Sequence, residues 1–120
     1  MHDNAFDRLH ELFSTAGYTR TKELAKVWEY RSPRNSQIVY LNLARPSAPW
    51  GVVIHPRVAL RPFRSVPGIG VYGHRSGSNY TSFPKKLGRR SPIHYGNQLI
   101  FEDRQILLSI LTILDAHVVP

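Results

Sequence analysis

The chain has 120 residues, 42% of them hydrophobic, with 16 Lys and Arg against 8 Asp and Glu, a net charge of +8 and no cysteine. That length suits one domain and is too short for two, the apolar content argues against disorder, and the lack of cysteine removes disulfides, thiolate nucleophiles and thiolate metal sites together. The opening MHDNAFDRLHELF has acidic residues and no apolar leader run, and the most apolar window, ILLSILTIL, is shorter than the roughly 20 residues that cross a bilayer, so a cytoplasmic protein with no membrane partner is expected.

In chain order, Phe6, Leu9, Phe13 and Ala16 recur at helical spacing, with Asn4 or Asp3 as cap and Gly17 as a left-handed stop. Residues 22–30 fit a helix or a strand. The turn signal Ser32, Pro33, Arg34, Asn35 that follows favours a strand. QIVYLNL at 37–43 alternates as a strand, with Val39, Leu41 and Leu43 on one face and Ile38, Tyr40 and Asn42 on the other. Pro46 and Pro49 interrupt the chain before a third, apolar strand at Val52, Val53 and Ile54, which Pro56 ends. From 57 to 96 proline and glycine recur without a sustained apolar period, which predicts a long irregular loop. Ile106, Leu107, Ile110, Leu111 and Leu114 then repeat as a closing helix behind Glu102 and Asp103. The expected architecture is a single α+β domain over 1–120: an N-terminal helix, a three-stranded antiparallel sheet, a basic loop over 57–96 and a C-terminal helix.

Charge is distributed unevenly. Between Glu29 and Glu102 there is no carboxylate, while eleven Lys and Arg occur there. Local acidic neighbours cannot neutralise such a span, which predicts a positive field that attracts polyanions. The candidate nucleic-acid contacts are Arg57, Arg61, Arg64, Arg75, Lys85, Lys86, Arg89 and Arg90 for phosphates, and Tyr80 and Tyr95 for bases or sugars. Phe83, before Pro84, reads as a loop anchor inserted into the core.

The segments IVYLN at 38–42, VVIHP at 52–56, YTSFP at 80–84 and HYG at 94–96 resemble, in order and spacing, the YgaC-like family of small bacterial proteins. The resemblance implies a compact bacterial α+β domain and carries no catalytic residue over, because the family has no established activity. The loop here is also more basic than the family pattern.

Several chemistries are disfavoured. Without cysteine or nearby carboxylates a metal site would need histidines alone, so no metal and no cofactor is expected. GIGVYG matches G-x-G-x-x-G but follows Pro67 where a strand would be needed, so it fails as a dinucleotide motif and reads as turns. The preferred reading is a nucleic-acid-binding or regulatory protein without catalysis, its partner DNA or RNA. One alternative is a module that binds an acidic protein. Another is a metal-independent ribonuclease with His55 and His94 as acid and base. The nearly all-apolar closing helix additionally suggests a homodimer through it.

Overall fold

In the computed structural model, which describes residues 4–87 and 91–117, the chain starts with α1 (Ala5–Thr15). The Asn4 side chain accepts the Asp7 amide at 2.9 Å, and Gly17, at φ +85°, turns the chain out of the helix. Seven strands and one short helix then follow before the last helix: β1 (Thr19–Glu23), β2 (Val27–Arg31), β3 (Ile38–Asn42), β4 (Trp50–Ile54), α2 (Arg61–Arg64), β5 (Gly70–Ser76), β6 (Lys85–Leu87), β7 (Pro92–Phe101) and α3 (Ile106–Ala116). The strands form one antiparallel sheet in the order β1-β2-β3-β4-β7-β5, with β6 paired to the start of β7.

The α+β class stands, but the three-stranded sheet does not, and seven strands replace it. Residues 57–96 are not an irregular loop, since they contain α2, β5, β6 and half of β7. Two of their prolines begin elements, where a missing amide costs little: Pro62 sits in the first turn of α2 and Pro92 is the first residue of β7. Residues 22–30 hold the end of one strand and most of another, with a turn at 24–26 closed by the Leu24 amide on the Val27 carbonyl. β1 is an almost fully exposed edge strand, TRTKE, so no apolar period marks it.

Directly opposed residues on paired strands share a face. On the helix side lie the rows Tyr30, Val39, Ile54 and Trp28, Leu41, Val52, Leu99. These pack on Leu9 and Phe13 of α1, Phe63 of α2 and Leu107, Ile110, Leu111 and Leu114 of α3. Phe13 stacks on Tyr30 with ring centres 3.7 Å apart. The β2–β3 turn clamps the end of α3: Asn35 and Gln37 donate to the Leu114 carbonyl, while Tyr18, Ser32 and Arg34 all donate to the Asp115 carboxylate. The exposed large apolar side chains among the described residues are Leu24, Tyr72 and Leu87, none of them on α3. Leu107, Ile110, Leu111 and Leu114 of α3 are buried within the chain, while Ile106, Leu108 and Ile113 are partly buried.

The opposite face carries a second, smaller core. Residues 77–84 run across it as a strap, and Tyr80 and Phe83 descend onto Val27, Tyr40 and Val53. Gly96 of β7 permits that approach. A Cβ there would stand 2.5 Å from the Ile54 carbonyl oxygen and 3.0 Å from the Phe83 ring. Gly96→Ala is therefore expected to lower stability by about 1–3 kcal/mol through overpacking, read as a reduced denaturation midpoint. Unchanged stability would contradict this packing.

Candidate nucleic-acid groove

The strap is held by one carboxylate. Glu29, in the middle of β2 and 3% exposed, accepts hydrogen bonds from Tyr40 Oη, from Thr21 Oγ1 at 2.7 Å and from Ser82 Oγ at 2.9 Å. Tyr40 Oη also accepts the Ser82 amide at 2.9 Å. Lys22 Nζ stands 3.7 Å from the carboxylate and donates to Thr81 Oγ1 at 2.8 Å. Burial alone would raise the Glu29 pKa, but the hydrogen bonds from Tyr40, Thr21 and Ser82 and the Lys22 charge outweigh it and hold the carboxyl below its ordinary range. The one acidic group beneath the strap is thus ionised, yet spent on local donors.

Beside the strap the face is open. The row Val27, Asn42, Gly51, Ile100 crosses β2, β3, β4 and β7, and the adjoining row Glu29, Tyr40, Val53, Gln98, Gly73 extends to β5. Two cavities lie along these rows, of about 240 Å³ and about 500 Å³. Both are bounded by Asn42, Ala44 and Arg75, so they form one groove. Its cations are Lys26 at one end, Arg75 in the middle and Arg45 at the other end, and among the described residues no carboxylate lines either cavity. Arg75 donates to Tyr80 Oη at 3.0 Å and to Gln98 Oε1 at 3.4 Å. Among the described residues Lys26 and Arg45 have no ion-pair partner. A β-bulge in β5, with Gly73 at φ +77°, turns Tyr72 outward to 70% exposure at the groove's end. Past Tyr72 the surface changes sign, where Glu102 and Asp103 line an adjoining cavity that shares Pro49, Tyr72 and Ile100 with the smaller one.

The candidate residues read from the sequence are dispersed by this arrangement. Arg75 lies in the groove. Tyr80 lines it but is 3% exposed and packs edge-on against Tyr40, so its ring is an anchor and offers no stacking surface. Phe83 is an anchor too, as expected. Lys85 and Lys86 are exposed on β6, where Lys85 opposes His94 and Lys86 sits 5.4 Å from the centre of the Tyr95 ring, which His74 also contacts. Arg61 and Arg64 belong to α2, on the helix side of the sheet. Arg57 lies in the turn after β4, and Arg89 and Arg90 fall outside the described residues. Sequence reasoning missed Lys26, Asn42, Arg45, Tyr72 and Gln98. Only the sheet register brings these five together.

His55 and His94 both adjoin Phe83. His94 Nδ1 donates to the Phe83 carbonyl at 2.7 Å, so the proton of its neutral ring is on that nitrogen. His55 packs edge-on against the Phe83 ring, and its Nδ1 accepts the Arg57 amide at 3.1 Å. Burial, then the Arg57 charge, push its pKa below 6.5. His55 lines a cavity of about 210 Å³ whose wall includes Phe83 and not His94. Among the described residues no three His, Asp or Glu are grouped to hold a metal ion, and no helix is long and apolar enough to cross a membrane.

Because the folded-state pKa of Glu29 is depressed, its contribution to stability is present above the ordinary carboxyl value of 4.5 and is lost as pH falls through the folded value. Hydrogen exchange is expected to show the 77–84 amides losing protection on acidification through that window, before the α1 and α3 amides do. Simultaneous loss at both places would contradict the pin. Glu29→Ala should cost about 2–3 kcal/mol through three unpartnered donors.

Comparison with family models, curated proteins and solved structures finds no match to this chain, so the likeness to the YgaC-like family rests on the short motifs alone.

Proposed function

We propose that the protein binds single-stranded nucleic acid in the groove beside the strap. The observation that carries this reading is a concave surface with three cations, Lys26, Arg45 and Arg75, and no carboxylate among the described residues. Excess cationic charge in a cleft concentrates the field and attracts phosphates. A duplex reader needs a helix or ribbon that projects into a groove of the nucleic acid. Here the cations surround a depression in a sheet, with volumes suited to single nucleotides, which favours an unpaired strand. Lys85 and Lys86, exposed on β6 beside the start of β7, add positive charge outside the groove and serve steering.

Binding of a labelled single-stranded oligonucleotide should weaken steeply between about 50 and 200 mM salt. Lys26→Ala with Arg45→Ala removes two groups that hold no ion pair among the described residues, so the fold should survive. The slope of log affinity against log salt should shrink by about 1.4, at ~0.7 per phosphate on a single strand. Arg61→Ala with Arg64→Ala, on the helix side, should leave that slope unchanged. Lack of binding at low salt, or an unaltered slope in the Lys26 and Arg45 variant, would overturn the reading.

A further inference from the structure

Phosphate contacts account for attraction and say nothing about what occupies the smaller cavity, at the Arg45 end of the groove. Its floor is Gly51, flanked by two carboxamides. A Cβ on Gly51 would lie 2.6 Å from Gln98 Nε2 and 3.8 Å from Asn42 Cβ, so the Gln98 amide leans over the one position without a side chain and Asn42 flanks it. Asn42 is buried, and its carboxamide makes no hydrogen bond to any described residue. Trp50 also borders the cavity, but its ring lies on the other face of β4, packed against Phe101 in the helix-side core. A carboxamide that pairs with no protein group at a cavity wall is a place where a ligand's heteroatoms can bind. Tyr72, an exposed ring on a bulged edge strand, lines the same cavity as the guanidinium-bearing residues Arg45 and Arg75.

We infer that this cavity takes one unpaired nucleobase, stacked on Tyr72, with its hydrogen-bonding edge toward the Asn42 and Gln98 carboxamides and its phosphate toward Arg45 and Arg75. The inference rests on the groove being the nucleic-acid site. A flat heterocycle has the π-face that Tyr72 can stack and the adjacent donor and acceptor atoms that a carboxamide can pair. A phosphate alone would leave the Asn42 carboxamide unmet. The cavity, about 240 Å³, has room for one base and the bridging waters such sites hold.

The test compares a mixed-sequence single-stranded oligodeoxynucleotide with an abasic strand of equal length, which has the same phosphates and no bases. The wild type should bind the intact strand roughly tenfold more tightly, the size of one base-stacking contact. Tyr72→Ala removes an exposed side chain, and Gly51→Ala displaces only the mobile end of Gln98. Each should close that gap while leaving the affinity for the abasic strand and its salt dependence unchanged. Equal wild-type affinity for both strands overturns the base pocket and leaves the groove standing. A gap that persists in both variants places the stacking elsewhere and also overturns it. If neither strand binds, the groove itself fails and this inference fails with it.

Discussion

The Glu29 carboxylate beneath the strap determines what this sheet face is able to do. An antiparallel sheet with helices on one side has a second face that is either solvated or covered. Here half of it is covered, because one buried carboxylate collects hydroxyls from β1, β3 and the strap and so fixes 77–84 over Tyr40 and Val53. Taking a charge out of water is costly unless its lone pairs are met, and Glu29 meets that condition through three side-chain donors and Lys22. Burial and its bond to Glu29 raise the Tyr40 pKa, which keeps the phenol protonated and able to donate.

Two consequences follow for the surface. The strap ends where Gly77 meets β7, so the remaining half of the face, from Asn42 to Gln98, stays open as a groove with a defined wall. The pin also uses up the only acidic side chain in the strand rows beneath strap and groove, so the positive charge of Lys26, Arg45 and Arg75 is unopposed there. One interaction therefore shapes the depression and sets its sign.

Elements with apolar periodicity were legible from sequence: α1, α3, β3 with its two faces, and the apolar β4. The strands that escaped notice are those whose side chains do not meet an apolar core on alternate positions. β5 is an edge strand rich in glycine and bent by a bulge, and β7 places His94, Gly96 and Gln98 under the strap and groove where hydrophobic residues would otherwise have marked it. The acid-free span pointed to positive charge but not to its position. Proximity along the chain suggested Lys85 to Arg90, whereas pairing in the sheet joins Lys26, Arg45 and Arg75 across three separate segments. Tyr80 and Tyr72 exchanged roles for a similar reason: a turn buried the first, and a bulge at Gly73 exposed the second. Neither event has a signature in the tyrosine's immediate neighbours.

The central claim is that the open half of the strap face is the binding surface. Backbone amide shift mapping by NMR, with a short single-stranded oligonucleotide titrated at low salt, tests it most directly. The account predicts that perturbations concentrate on Lys26, on 42–45, on Gly51 and on 72–79, with α1, α2 and α3 little affected. Perturbations centred on Arg61, Arg64 and the helix layer, with the groove amides unmoved, would contradict it.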